Sequence, residues 1–297
     1  MRQPEVRELD PSLLAAADQA CYAAKESGGD RVRRFDSRDT KLRERRDEMH
    51  WFARLTSALE EDRLRLAYQL IERSEPEARG GTHCEMLVRL EEEDGELILP
   101  GAFLPAAERY NLLTRIDQWV VSSTLDWLSR DPVWLQRLEL CAINLSGQSL
   151  GDERFAEQVV EILERSDVPS DKLCFEITET AAISNLAAAN RFISQLRKRG
   201  VRFALDDFGS GLSSFAYLKS LAVDYLKIDG VFVRDIIDDP IDRAMVRSIN
   251  EIGHLMGKQT VAEFVENDAI AGELRRIGVN YLQGYSISRP VLLDKRG

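Results

Sequence analysis

From Leu64 onward, short apolar segments alternate with amphipathic segments, and this alternation limits the possible folds more than any other feature. Segments rich in β-branched and aromatic residues are typical of strands, while apolar residues at helical spacing predict helices between them. Repeated strand–helix units predict an α/β fold with a mostly parallel sheet, and eight strands favour a closed (β/α)8 TIM-like barrel. The predicted strands are Leu64–Gln69, Cys84–Leu90, Leu138–Leu145, Leu173–Thr178, Arg202–Asp207, Tyr225–Asp229, Gln259–Phe264 and Tyr281–Ile287. The predicted helices include Asp152–Arg165, Leu186–Arg199, Ile241–Met256 and Asp268–Ile277.

Polar and ionisable residues fall at the ends of these predicted strands. In a barrel of parallel strands the carboxyl ends meet at one rim, where such enzymes place their chemistry. Any one of these residues taken alone is equally well explained as a surface residue or an ion-pair partner. Their recurrence on successive strands favours a shared site instead. The residues are Asn144, Glu176, Asp206, Asp207, Lys227, Glu263 and Gln283.

Several carboxylates in one small space predict a bound cation, because like charges raise each other's pKa and cost free energy. Oxygen ligands without histidine or cysteine favour Mg²⁺ or Mn²⁺ over zinc. The three histidines, His50, His83 and His254, form no closely spaced pair, which argues against a histidine zinc site.

A glycine-bearing segment, residues 208–214, directly follows the paired aspartates. Its backbone can approach a phosphate or a metal shell, since glycine adopts conformations closed to other residues. Glycine-serine loops are common, so the signal gains weight only from its position after Asp206 and Asp207. The segment also resembles a movable loop that couples a site to a partner subunit.

Composition narrows the classes of partner. A net charge of −11 argues against binding a DNA or RNA polymer through a basic surface. No apolar run is long enough to span a bilayer, so no membrane contact is expected in this stretch of chain. Four scattered cysteines without disulfide-like spacing indicate buried free thiols in a reducing compartment, and hence a cytoplasmic location. They are Cys21, Cys84, Cys141 and Cys174.

The residues before Leu64 predict a helical extension at the N-terminus. Residues 12–25 form a helical pattern with Ser12 as N-cap, and Gly28-Gly29 ends it. An arginine-rich charged stretch from Arg31 to Glu48 is interpreted as a solvated helix or linker. Apolar positions at helical spacing from Thr40 to Leu59 predict a long helix leading into the main domain.

Seven motifs in order resemble the EAL family of cyclic-di-GMP (c-di-GMP) phosphodiesterases, across roughly Trp51 to Pro290. They are Glu85-Met86-Leu87-Val88-Arg89, Asn144-Leu145-Ser146, Glu176-Ile177-Thr178-Glu179, Asp206-Asp207-Phe208-Gly209, Lys227-Ile228-Asp229, Val261-Ala262-Glu263-Phe264-Val265-Glu266 and Gln283-Gly284-Tyr285. Residues 17–25 are similar to the last helix of a GGDEF (diguanylate cyclase) domain, whose catalytic signature is absent. The resemblance therefore implies a GGDEF remnant at 1–35, a helical linker at 36–50 and an EAL domain at 51–297.

The resemblance implies a barrel with one antiparallel strand and a role for each motif residue. Glu85, Asn144, Glu176 and Asp206 would hold one metal, with Asp206 shared and Asp207 reaching a second. Glu263 and Gln283 would bind metal-held waters, Lys227 would orient the attacking water, and Glu179 would anchor the loop after Asp207. Glu85, Lys227 and Glu263 would be the catalytic residues. The substrate contacts would be Gln69, Leu87, Arg89, Asp229 and Arg289, with the Arg89 fork at a phosphate.

The implied activity is hydrolysis of c-di-GMP to linear 5′-pGpG with two Mg²⁺ or Mn²⁺ ions, Ca²⁺ being inhibitory. The implied setting is a bacterial signalling protein of biofilm control, cytoplasmic within a larger protein with or without a membrane anchor. The resemblance also implies a homodimer formed through the EAL domain.

Three positions depart from the family pattern, and two other functions stay open. Met86 replaces the signature alanine, Leu70 stands where proline is usual, and Phe264 replaces a glycine beside Glu263. Phe264 is expected to narrow the site or shift its loop. One alternative is a receptor that binds c-di-GMP without cleaving it and signals through a partner. The other is an unrelated metal-dependent barrel enzyme acting on another phosphoester or a sugar acid.

Overall fold

The computed structural model describes residues 51–75, 80–209 and 217–294. The chain divides into two units, Met1–Arg54 and Leu55–Gly297. In the first unit the described residues are 51–54, which are helical. The predicted helix at 12–25, the charged stretch and most of the helix predicted from Thr40 lie outside the described residues. The N-terminal extension therefore stays a prediction.

Among the described residues, the second unit carries ten strands and the helices between them. The strands are β1 (Leu64–Arg73), β2 (Thr82–Glu91), β3 (Leu97–Ile98), β4 (Leu138–Leu145), β5 (Leu173–Thr178), β6 (Arg202–Phe208), β7 (Tyr225–Ile228), β8 (Gln259–Ala262), β9 (Tyr281–Leu282) and β10 (Val291–Leu292). The helices are α1 (51–60), α2 (Pro100–Arg109), α3 (Leu113–Arg130), α4 (Pro132–Arg137), α5 (Gly147–Gly151), α6 (Glu153–Arg165), α7 (Glu179–Ser184), α8 (Leu186–Arg197), α9 (Gly230–Val233), α10 (Pro240–Leu255) and α11 (Asp268–Ile277). Short 3₁₀ turns span Ser170–Lys172 and Tyr217–Lys219.

Eight of these strands close into a barrel in which one strand is reversed. Strands β2, β4, β5, β6, β7, β8 and β9 are parallel to their neighbours in that order. Strand β1 closes the ring by pairing antiparallel with both β2 and β9. The predicted barrel with one antiparallel strand is therefore confirmed. Strand β10 adds antiparallel to β1 outside the ring, and β3 adds to β2.

Three of the predicted strands are too long: Tyr225–Asp229 exceeds β7 by its last residue, and two others exceed the observed strands by more. The prediction Tyr281–Ile287 is wrong beyond Leu282, because the next residues turn back on themselves. Ser286 N donates to Val265 O at 3.0 Å and Ser288 N donates to Gly284 O at 2.9 Å. The prediction Gln259–Phe264 is wrong beyond Ala262, where β8 ends; Phe264, two residues further on, has φ of 53°, which lies outside the β region.

The lower half of the barrel interior is filled by an apolar layer that positions the site above it. Its inward residues are Leu140, Ala142, Cys174, Ala204, Tyr225, Val261 and Tyr281. Side chains on a strand alternate between faces, so the residue two positions later points the same way. Two positions after the last six of these come Asn144, Glu176, Asp206, Lys227, Glu263 and Gln283. The strand period therefore stacks a polar layer on the apolar one.

The described cysteines agree with the sequence prediction. Cys84, Cys141 and Cys174 are buried and free, as predicted. A hydrogen bond with Cys84, together with burial, raises the pKa of the Cys141 thiol. No helix within the described ranges is both long enough and apolar enough to cross a bilayer.

Candidate metal and substrate site

Lys227 lies at the centre of the polar layer, surrounded by carboxylates from four other strands or strand ends. Its Nζ lies 2.6 Å from Glu176 Oε2 and 2.8 Å from Glu263 Oε1. Glu85 Oε2 and Asp206 Oδ1 each lie 3.3 Å away. The Lys227 side chain is 1% exposed, so little water screens these contacts. One ammonium thus faces four carboxylates in a dry interior.

Two amides bind the other lone pairs of Glu85. Asn144 Nδ2 donates to Glu85 Oε1 at 2.6 Å, and Gln283 Nε2 donates to Glu85 Oε2 at 2.5 Å. The Gln283 amide also reaches Gln69 Oε1 at 3.2 Å. Gln69 in turn donates from Nε2 to Ser288 O at 2.8 Å. This chain of amides joins β1, β2, β4 and the segment after β9 around one carboxylate.

The pKa values of these carboxyl groups are shifted in different directions because their partners differ. Burial disfavours the charged Glu85, but Lys227 and the two amides hold its pKa below the ordinary value. Burial raises the pKa of Glu176 well above its ordinary value despite Lys227, because Glu85 and Asp206 add like charge. Burial likewise raises the pKa of Glu263 to about 8. The pKa of Lys227 is raised, since its four acids outweigh burial. Negative charge is therefore in excess here.

Asp207 adds a further acid at the mouth of the site. Burial, with Asp206 and Asp229 nearby, raises the pKa of Asp207 to about 6. Its backbone has φ of 53°, and its N–H donates to Asp206 Oδ1 at 3.0 Å. Asp206, Asp207 and Glu263 each offer a carboxylate oxygen within 4.8 Å of the other two. That spacing suits a shared divalent cation.

The chemistry of this donor set fits a hard divalent cation. All the groups are carboxylate or amide oxygens, which Mg²⁺ and Mn²⁺ prefer. A single buried ammonium does not balance the acids, and burial together with the neighbouring carboxylates raises the pKa values of Glu176 and Glu263. Gln283 Oε1 is buried and accepts no hydrogen bond from the described residues. A buried acceptor of this kind needs a donor such as a metal-held water.

The residues predicted to contact substrate lie on β1, on β2 and after strands β7 and β9. Leu87 and Arg89 lie on the same face of β2 as Glu85, at steps of two residues. Burial lowers the pKa of the Arg89 guanidinium, whose NH1 donates to Val88 O at 2.8 Å. Asp229 Oδ1 accepts from Val231 N at 2.9 Å and so caps α9. Arg289 is exposed, with its Cζ 4.8 Å from the centre of the Tyr285 ring.

Glu179 contacts the chain on both sides of residues 210–216, which include most of the glycine-bearing segment. Gly209 N donates to Glu179 Oε2 at 2.9 Å, and the Tyr217 hydroxyl donates to Glu179 Oε1. Gly209 has φ of 100°, which explains glycine at this position. Residues 210–216 between them lie outside the described ranges.

Asp117 and Tyr217 take part in the support of the site, and neither was predicted from the sequence. Asp117 Oδ2 accepts from Ser146 N at 2.8 Å and from Ser149 Oγ at 2.6 Å. It thereby fixes the turn directly after Asn144. Asp117 lies in the middle of helix α3, where nothing in the local pattern marks it. For Tyr217, the sequence gives a weak indication of such a role, because this residue comes shortly after the predicted loop.

Comparison with known proteins places the chain in a family. Residues 53–290 match the EAL domain. The chain belongs to the EAL-domain family. The chain is 43% identical over 279 residues to the cyclic di-GMP phosphodiesterase PdeB of Shewanella oneidensis, covering 94% of this chain and 32% of that protein. It is 36% identical to PdeF of Escherichia coli, a protein with the same description, over 84% of this chain and 32% of the relative. The chain thus spans about one third of the length of these relatives.

Solved structures of EAL domains share the fold. The PaMucR phosphodiesterase in its c-di-GMP complex has a TM-score of 0.74 at 33% identity, covering 82% of this chain and 97% of that one. The FimX EAL domain from Pseudomonas aeruginosa bound to c-di-GMP has a TM-score of 0.75 at 28% identity, covering 81% and 96%. This fold thus occurs both in a phosphodiesterase and in another EAL domain that binds c-di-GMP.

Proposed function

We propose that this EAL domain hydrolyses c-di-GMP to linear 5′-pGpG. The observation that carries the proposal is the complete set of oxygen donors around Lys227. Seven side chains that the family motifs supply are joined by contacts of 2.5–3.3 Å, namely Glu85, Asn144, Glu176, Asp206, Lys227, Glu263 and Gln283. The likeness to curated c-di-GMP phosphodiesterases supports the choice of substrate.

The acids would hold two divalent cations, Mg²⁺ or Mn²⁺. Glu85, Asn144, Glu176 and Asp206 would bind one, and Asp207 would reach the second. Bound ions would make a water nucleophilic and stabilise the negative charge on the leaving oxygen. Ca²⁺ would permit substrate binding but slow turnover, since it tolerates looser coordination geometry.

The chain's own residues then orient the reaction. Lys227 Nζ would hold the attacking water beside Glu263, with which it is in contact at 2.8 Å. The oxygen of that water would form a bond to phosphorus while the bond from phosphorus to the 3′-oxygen breaks. Glu263 would accept the proton that the water loses, and the departing 3′-oxygen would take up one proton, so the number of protons is conserved. Gln283 Oε1 would accept a hydrogen bond from a water at the site. Arg89 would bind a phosphate oxygen, and Gln69, Leu87, Asp229 and Arg289 would contact the remainder of the substrate.

Chromatography of the purified chain incubated with c-di-GMP and Mg²⁺ tests this proposal. We expect pGpG to accumulate, and Glu85→Ala to abolish it while the far-UV circular dichroism stays unchanged. Glu93→Ala, which removes an exposed acid just beyond β2, is the matched control and should retain wild-type turnover. Binding of c-di-GMP without turnover in the wild type would instead identify a receptor. Glu85→Ala activity within tenfold of wild type would contradict its role as a ligand.

Several finer expectations accompany the proposed activity. Residues 1–35 are proposed as a GGDEF remnant and 36–50 as a helical linker before the EAL domain at 51–297. The EAL domain is proposed to form a homodimer, and the protein to act in the cytoplasm on a bacterial second messenger that controls biofilm formation. Light scattering of the purified chain, with and without c-di-GMP, would test the dimer.

A further inference from the structure

Phe264 follows Glu263 directly and has a backbone conformation that residues with a Cβ rarely adopt. Its φ is 53°. Among the described residues, the other non-glycine positions with positive φ are Asp62, Asn111 and Asp207, whose short polar side chains tolerate this region. Phenylalanine has no short polar side chain that would make this conformation tolerable. A conformation of this kind persists only where the surrounding contacts enforce it.

The Phe264 ring is held by a glycine and an arginine from the segment after β7. A Cβ added to Gly230 would collide with Cδ2 of the Phe264 ring and lie 2.9 Å from Phe264 Cβ. Only glycine therefore leaves room for the ring. Arg234 Cζ lies 4.2 Å from the centre of the same ring, a cation–π contact. The ring is packed although 46% of Phe264 is exposed.

The residue after Phe264 is fixed on the opposite side by a second glycine. Val265 is fully buried, and its N–H donates to Gln283 O at 3.0 Å. A Cβ on Gly284 would collide with the Val265 backbone. The turn from Glu263 to Val265 is thus held between two glycines, each of which directly follows a site residue, Asp229 or Gln283.

We propose that Phe264 is a positioning residue that sets the direction of the Glu263 carboxylate. The Phe264 ring, seated on Gly230 under Arg234, maintains the positive φ of the turn. The turn in turn aims Glu263 at Lys227 and at the oxygens of Asp206 and Asp207. A glycine at 264 would adopt the same φ without strain but would not be held there. The inference rests on the proposed metal site and names a residue that acts through Glu263.

Mn²⁺ affinity of the metal-free protein, measured by isothermal titration calorimetry without substrate, tests the role of Phe264. Phe264→Gly should raise the Mn²⁺ Kd about tenfold or more, which is the usual loss when support of a metal ligand is removed. Phe264→Tyr keeps the ring and should stay within about twofold of wild type. Arg234→Ala should raise the Kd about two- to fivefold, the equivalent of an exposed cation–π contact. Because Arg234 acts through the ring, adding Arg234→Ala to Phe264→Gly should change nothing further.

Tyr285→Leu provides the matched control. Tyr285 is a second exposed aromatic residue with an arginine over its ring, but its φ is not positive and it does not adjoin a carboxylate of the cluster. Its loss should leave the Mn²⁺ Kd unchanged. Thermal melting of each variant in EDTA separates affinity from folding. An unchanged Kd in folded Phe264→Gly would overturn the inference, whereas absence of Mn²⁺ binding in the wild type would overturn the proposed metal site itself.

Discussion

Replacing Lys227 by methionine gives the most direct test of the electrostatics of this site. The substitution keeps the length and apolar stem of the side chain but removes the ammonium from four carboxylates, all within 3.3 Å. Removing one partner of a buried ion pair costs about 3–5 kcal/mol, because the remaining charge is left uncompensated. In a domain of this size, about 1 kcal/mol shifts the Tm by roughly 2–4 °C. We therefore expect Lys227→Met to lower the Tm in EDTA by about 6–20 °C.

Mn²⁺ should reverse much of this loss, since a bound cation neutralises the same acids. The rise in Tm on adding Mn²⁺ should be larger for Lys227→Met than for wild type, because the ammonium no longer repels the metal. Lys258→Met is the control. Lys258 is also buried, but its Nζ donates to the carbonyl oxygens of Leu221 and Val223, so its loss should not be recovered by Mn²⁺. Differential scanning fluorimetry with EDTA or Mn²⁺ measures both effects. A Lys227→Met Tm in EDTA within 2 °C of wild type would refute the reasoning, because a shift of ~2 °C corresponds to 1 kcal/mol or less.

Three further outcomes follow from the described contacts. Burial raises the pKa of Glu263 in the folded state to about 8. As the pH rises, the unfolded chain therefore loses this proton at a lower pH than the folded chain does. The stability of the metal-free protein should fall as the pH rises from about 4.5 to 8. Glu263→Gln should reduce that slope of Tm against pH, and an identical slope would contradict it. Asp117→Ala leaves the Ser146 N–H and the Ser149 hydroxyl without their acceptor and should cost about 2–4 kcal/mol in urea unfolding. Asp117→Asn keeps an acceptor and should stay within about 1 kcal/mol of wild type, so equal losses would count against this assignment. Exchanging Mg²⁺ for Ca²⁺ should preserve c-di-GMP binding by calorimetry but slow pGpG formation, whereas equal rates would remove the two-metal argument.

The composition of the polar layer was predictable because the two-residue period of strands and the symmetry of the barrel determine which residues face inward at the same level. Asn144, Glu176 and Asp206 each follow an apolar inward residue by two positions, and parallel strands bring equivalent positions to one height. The seven family motifs added Glu85 and the substrate contacts. None of this depended on the details of the helices.

The contacts that hold the layer together were not predictable in the same way. That Lys227 touches four acids at once depends on the barrel radius, which no local pattern encodes. Asp117 reaches Ser146 only because of how α3 packs beside β4. The positive φ of Phe264 could not be predicted from the sequence, because phenylalanine normally adopts a negative φ. Strand β10, two residues long, carries too short a pattern to be recognised.

The reversed strand β1 also decides where the chain enters and leaves the domain. Leu64 begins β1 opposite Leu90, at the end of β2 that carries Arg89, so the chain arrives at the same end as the acids. Strand β10 pairs antiparallel with β1, and Leu293 N donates to Leu66 O, so the chain departs toward that end too. For a protein engineer, this means that both connections to the barrel lie at the end that carries the acids. A domain joined before β1 or after β10 would therefore connect at the end of the barrel that carries the acids, while the opposite end would be available for immobilisation on a surface.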